Sequence, residues 1–223
     1  MAVIPQQMIR IKNPTVFFIL MKLSKHEHYF TRQQTSKKKE YGFVENVLGV
    51  PLRLMTTSGI FSPRQIDLGT LVLIKNMIIH SGNNVLDFGC GYGVIGIMAA
   101  KLYSKCNVVL VDINERAVEC AKENVFLNRI HNAHVKQSFF YSTLKDEFFD
   151  VILSNLPMSA GLDTCYKIIE GAKTHLVTNG TLQVVSRQRK GGARIMAKME
   201  EVFGNVEVLA KKGGYWIYCS KNI

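Results

Sequence analysis

Disulfide and metal signatures are missing from this sequence. Its five cysteines, Cys90, Cys106, Cys120, Cys165 and Cys219, are scattered and odd in number, with no Cys-x-x-Cys pair. Such spacing points to neither a zinc site nor a disulfide framework, and reduced thiols in a cytoplasmic protein fit it best. His26, His28, His131 and His134 show no ligand spacing either, so no metal is expected. Long apolar runs are lacking too. The early run from Val16 to Met21 is six residues, far short of the roughly 20 that cross a bilayer. No small-residue cleavage pattern follows it, so neither a membrane span nor a secretory signal is expected. Acidic residues are few: 17 Asp+Glu against 28 Lys+Arg leave a net charge of +11. That excess favours a polyanionic partner, RNA or DNA first.

What is present reads as one folded domain with a small appendage. A chain of 223 residues, 47% hydrophobic and 20% charged, can bury a core rather than stay disordered. Residues 1 to about 25 have no sustained period and form an N-terminal extension; residues 26–223 form the domain. TRQQTSKKKE (31–40) reads as a solvated basic linker or an RNA-touching arm. Two apolar stretches, 41–48 and 52–57, flank Gly49-Val50-Pro51 and predict a β-hairpin. Asp67 is placed to cap a helix reaching about His80, with Leu68, Leu71, Val72 and Ile74 at helical spacing.

From Val85 onward strands and helices alternate. Strands are predicted at 85–88, 108–112, 133–136, 151–155 and 181–186. Helices are predicted over 94–103, from an Asn114 cap to about Asn128, over 163–176 up to Asn179-Gly180, and over 193–203. Residues 206–209 and 215–220 pair through KKGG, with Trp216 read as core. The alternation predicts an α/β fold, a parallel sheet with helices on both faces and an antiparallel end. No internal repeat is evident.

Two stretches carry chemistry. In VLDFGCGYGVIG (85–96), Gly91, Gly93 and Gly96 spell G-x-G-x-x-G, with Asp112 ending the next strand, which raises a dinucleotide-binding reading. Asp87 argues against it, because a carboxylate there would repel a pyrophosphate. It suits a ligand carrying an ammonium and a sulfonium, and S-adenosylmethionine is that ligand. Gly89, Gly91 and Gly93 then admit backbone close to the methionine part, Asp87 helps hold the amino group, and Asp112 accepts from both ribose hydroxyls. The second stretch is VILSNLPM (151–158), a strand that ends on an amide. Asn155 Oδ1 and the carbonyl of Leu156 can accept both N–H bonds of an exocyclic amine, while Pro157 holds the turn that aims them.

These stretches, with HYF (28–30), SGIFS (58–62), DLGT (67–70), VDINERAVECAKEN (111–124), SNLPMSAG (154–161) and KGGYWI (212–217), resemble the methyltransferase small-domain family. Its members are Rossmann-like, S-adenosylmethionine-dependent enzymes, including guanine-N2 methyltransferases of small-subunit ribosomal RNA and archaeal relatives. The resemblance covers about residues 28 to 221. It implies a seven-stranded, mostly parallel sheet and a SAM-dependent N-methyltransferase acting most readily on ribosomal RNA. It also places Phe61, Cys90, Ile113, Ser138 and Phe139 beside the cofactor, and Met158 and Arg187 at the substrate.

The sequence departs from the family pattern at two places. Leu156 and Met158 stand where a proline and an aromatic or apolar residue are usual; Met158 cannot stack like an aromatic, so weaker base binding is expected unless Phe61 or Tyr141 supplies the ring. Ser138 and Phe139 stand where an acid usually meets the adenine, leaving that role to a backbone carbonyl. Lys37 to Lys39, Arg187, Arg189, Lys190, Lys211 and Lys212 could hold phosphates collectively. Two other readings stay open: methylation of a protein glutamine amide, and an RNA-binding protein without catalysis on the same fold.

Overall fold

The computed structural model describes Arg32, Gln34 and residues 37–223. The expected N-terminal extension, the HYF stretch and the histidines 26 and 28 lie outside the described residues. The first described elements are β1 (Glu40–Val47) and β2 (Val50–Thr57), an antiparallel pair. Their turn is Leu48-Gly49, both with positive φ (53° and 81°), so it falls earlier than the predicted Gly49-Val50-Pro51. A two-residue turn of that handedness matches the twist of the strands it joins.

Helix α1 (Leu68–Asn76) starts at Asp67 as expected but stops short of His80. Beyond it the chain is held extended by a side chain distant in sequence. Gln183 accepts from the Ile78 N–H at 2.8 Å and donates to the Ile78 carbonyl at 2.7 Å. The buried face of α1 is Gly69, Thr70, Val72, Leu73 and Ile74, whereas Leu68 is exposed.

Then follow β3 (Asn84–Phe88), α2 (Val94–Leu102), β4 (Asn107–Asp112), α3 (Glu115–Leu127), β5 (Ala133–Gln137) and β6 (Phe149–Asn155). The chain continues with α4 (Leu162–His175), β7 (Leu176–Arg187), α5 (Gly192–Phe203), β8 (Glu207–Lys212) and β9 (Tyr215–Lys221). β7 runs through Asn179-Gly180, the predicted break, because it pairs with β6 on both sides of that dipeptide, with a register shift between. The sheet order is β5-β4-β3-β6-β7-β9-β8. β5, β4, β3, β6 and β7 are parallel; β9 is antiparallel to β7 and to β8. Seven strands with an antiparallel end are what the alternation and the resemblance led one to expect.

Central strands send side chains to both faces. Val85, Val108, Leu110, Val151 and Leu153 pack with α1, α2 and α3; Leu86, Phe88, Val111 and Ile152 pack with α4 and α5. Burial on both faces is why these strands read as nearly continuous apolar runs. Trp216, read as core, is half-buried on β9 between β7 and β8, with the Lys211 ammonium 4.0 Å above its ring. Among the described residues no helix is long and apolar enough to cross a membrane.

Candidate active site

A cavity of about 260 Å³ opens at the carboxyl ends of β3, β4 and β6, where an open parallel sheet leaves its crevice. The chain after β3 turns sharply before α2. Gly89 and Gly91 have positive φ (71° and 56°), and a Cβ on either would meet no atom within 4 Å. Both line the cavity, so backbone there is bare toward whatever occupies it. Gly93 differs. It caps α2 in the left-handed conformation, and a Cβ would press on Leu110, Ala121 and Ile97 at 3.2–3.3 Å. Its role is close packing, and it is not part of the lining.

The two acids are set differently from each other. Asp112 lines the cavity; its Oδ2 accepts from Gly91 N–H at 2.9 Å and its Oδ1 from Asn114 N–H at 2.8 Å. Ile113 N–H is a third main-chain group acting on this carboxylate, which leaves acceptor capacity for at least one further donor among its roughly four lone-pair sites. Burial pushes this carboxyl up to about 6, against the main-chain hydrogen bonds that pull it down. Asp87 sits beneath the loop, fully buried on the α2 side and outside the lining. Its Oδ2 accepts from Gly96 N–H at 2.8 Å, while Oδ1 has no hydrogen-bond partner among the described residues. Burial, opposed by the Gly96 bond, pushes it up to about 7.

The opposite wall is built by the end of β6. Asn155 lines the cavity, and its Nδ2 donates to Asp67 Oδ2 at 3.2 Å and to Thr70 Oγ1 at 3.0 Å. Leu156 and Pro157 line it too. Pro157 has φ −75° and ψ 69°, an inverse γ-turn, in which the Leu156 carbonyl accepts from Met158 N–H at 2.8 Å. One lone pair of that carbonyl is therefore engaged and one remains.

Phe61, Cys90, Ile113, Ser138 and Phe139 also line the cavity. The Ser138 hydroxyl is committed locally, donating to the Phe140 carbonyl at 2.7 Å. Phe139 is 63% exposed and leaves the hollow open. The Cys90 thiol is buried, which holds its pKa well above the usual thiol range.

Besides Gly93 and Asp87, three further expected positions are not in the lining. Met158 turns away from the cavity toward α4, its Sδ 3.8 Å from Cys165 Sγ. Arg187 is exposed at the end of β7, with its guanidinium 4.8 Å over the Tyr215 ring. Tyr141 is buried, stacked on His175 at 4.5 Å, with its hydroxyl donating to the Ile168 carbonyl at 2.8 Å. Of the two rings expected to replace a stacking aromatic, Phe61 alone reaches the lining. Asp67, Thr70, Tyr92, Thr164 and Ile168 were not foreseen there. The Asp67 signal was read as a helix cap, which it also is.

Comparison with known proteins gives the family and the fold. The methyltransferase small domain model matches residues 51–219. The chain is 32% identical over 201 residues to the uncharacterized protein YbxB of Bacillus subtilis, covering 88% of this chain and 99% of that protein. It is 33% identical over 171 residues to ribosomal RNA small subunit methyltransferase C of Erwinia tasmaniensis, covering 75% of this chain and 48% of that one. The chain thus spans nearly all of the Bacillus protein but about half the length of the ribosomal RNA methyltransferases it matches. A Thermus thermophilus 16S rRNA N2 methyltransferase, solved in complex with AdoMet and guanosine, superposes with a TM-score of 0.75 at 22% identity. That match covers 86% of this chain and 52% of the other, and supports the fold.

Proposed function

The chain belongs to the methyltransferase small-domain family, and on that premise we propose that it methylates an exocyclic amino nitrogen, guanine N2 of ribosomal RNA, with S-adenosylmethionine as donor. One observation carries the reading. The Asn155 amide stands at the cavity wall opposite the bare glycine loop, with its NH₂ tied back to Asp67 and Thr70.

The residues present suit such a donor. Gly89 and Gly91 leave space that a Cβ would fill, and Asp112 faces the cavity with acceptor capacity left for a ribose hydroxyl. The unpaired Asp87 Oδ1 lies below the loop; from there it answers an amino group through water rather than by lining the cavity. When bound, the donor supplies an electrophilic sulfonium methyl.

The protein's task is to prepare the amine, whose lone pair is delocalised into its ring. Asn155 Oδ1 and the remaining lone pair of the Leu156 carbonyl accept its two N–H bonds and turn the nitrogen lone pair toward the methyl group. Positioning and fixed dipoles supply the rate; the methylated nitrogen is strongly acidic and sheds one proton to solvent after transfer, so no strong base is required.

RNA as acceptor is supported by the +11 charge and by the ribosomal RNA methyltransferases among the relatives. A tritiated-donor assay with unmodified ribosomal RNA tests it, followed by nucleoside mass spectrometry. Label at guanine N2 is expected. Label in protein instead would indicate a glutamine amide, and no transfer despite demonstrated donor binding removes the RNA reading.

A further inference from the structure

A side-chain amide has two ends of nearly the same shape, and packing alone does not choose between them. For Asn155 the choice matters, because only the oxygen can accept from an amine. Asp67 makes that choice. Its Oδ2 caps α1, accepting from Gly69 N–H at 2.8 Å and Thr70 N–H at 3.3 Å, and also accepts from Asn155 Nδ2 across 88 residues of chain. Its Oδ1 accepts from the Tyr215 hydroxyl at 3.0 Å. An ionised carboxylate can only accept. With the amide reversed, two acceptor oxygens would face each other at the distance now spanned by a hydrogen bond.

The surroundings hold the carboxylate in place. A Cβ on Gly69 would come within 2.7 Å of the Tyr215 ring and 2.8 Å of Asp67 Oδ2. Glycine at 69 therefore lets the tyrosine lie against the helix start and reach Asp67. The Thr70 hydroxyl, 3.0 Å from the same Asn155 nitrogen, is a second acceptor on the same side.

We infer that Asp67, assisted by Thr70, is the positioning residue that keeps the Asn155 oxygen turned to the cavity. The kinetic consequence rests on the proposed amine-gripping role of Asn155; the orientation itself does not.

The test separates capping from positioning. Serine caps a helix nearly as well as aspartate but is too short to serve Asn155 and Tyr215 together, whereas asparagine can place an oxygen where Asp67 Oδ2 lies. In the ligand-free protein, the Asn155 side-chain NH₂ resonances, assigned by their loss in N155A, are expected at shifted, exchange-protected positions. They should stay there in D67N and move to free-amide positions in D67S. In turnover, D67S should lower kcat about tenfold to a hundredfold with the donor KM within about twofold, D67N should restore most of the loss, and D67S should add nothing to N155A. T70V, which leaves the cap untouched, should lower kcat several-fold and serves if D67S does not fold.

Unmoved resonances in D67S, or losses that multiply in the double variant, would overturn the inference. If the wild-type protein methylates no acceptor, the functional reading falls while the resonances still decide the orientation.

Discussion

Asn124 satisfies both main-chain groups of Met55, accepting from its N–H at 2.6 Å and donating to its carbonyl at 2.9 Å. Four residues further on, Asn128 at the C-cap of α3 does the same for Arg53, at 3.1 and 2.7 Å. The free edge of β2 is thus finished by a helix rather than by another strand, which removes an unpaired edge. Asn124 also donates to the Tyr92 carbonyl at 2.9 Å, so hairpin and glycine loop share one buried amide.

Asn124→Ala should therefore be among the most destabilising polar substitutions. It leaves the Met55 N–H and carbonyl and the Tyr92 carbonyl without the buried side chain that pairs them. Each buried orphan costs about 1–3 kcal/mol, so a loss of about 3 kcal/mol is expected. Urea unfolding that shows less than 1 kcal/mol would mean the hairpin is not docked through Asn124.

Gly91→Ala and Gly96→Ala should part company. The added methyl at 91 enters open cavity space, although φ 56° adds some backbone strain; donor affinity should fall at least tenfold with a modest change in Tm. At 96 the methyl would lie 2.5 Å from Leu110 Cγ, an overpacking that typically costs 1–3 kcal/mol. Its main effect should appear in the melting curve. Calorimetric titration beside thermal unfolding of both variants checks this.

Asp87 gives the ligand-free protein a pH dependence of defined sign. Its carboxyl ionises near 3.8 in the unfolded chain and near 7 in the folded one, so the folded state binds a proton that the unfolded state has released. The stability linked to that proton is complete below about 3.8 and is lost as pH rises through about 7, with a slope of up to about 1.4 kcal/mol per pH unit. Asp112, pushed up to about 6, acts in the same direction over a narrower window. Thermal unfolding from pH 4 to 8 should be flatter in Asp87→Asn than in wild type. Binding of the cationic donor should strengthen with pH over the upper part of this range in wild type, and much less in the variant.

Asn155→Ala should lower kcat by about 10²–10³-fold, the usual cost of removing one fixed group that stabilises the transition state. Donor affinity should stay within about threefold. Equal loss of turnover and of donor binding would make Asn155 a binding or folding residue.

Much of this architecture is legible from local pattern. The Asn114 and Asp67 caps, the apolar strands buried on both faces and the glycine turn are all set by neighbours within a few residues. What was not legible depends on distant partners. The end of α1 is decided by Gln183, 105 residues away from Ile78, and β7 crosses Asn179-Gly180 because β6 lies beside it. The hairpin turn was misplaced because Leu48 adopts a positive φ that its side chain does not advertise. In the site the same division holds. Gly89, Gly91, Asp112 and Asn155 were readable as residue types at strand ends. By contrast, the second task of Asp67 and the turn of Met158 toward α4 exist only once β6, α1, α4 and β9 are side by side.

The cavity walls come from β3, β4 and β6, strands joined by crossovers rather than hairpins. No early local pairing can assemble them, so a nascent chain halted before Asn155 would carry the glycine turn and both acids yet have nothing to close around. Ligand capture becomes a gauge of completed folding, arriving after bulk helix and sheet during renaturation.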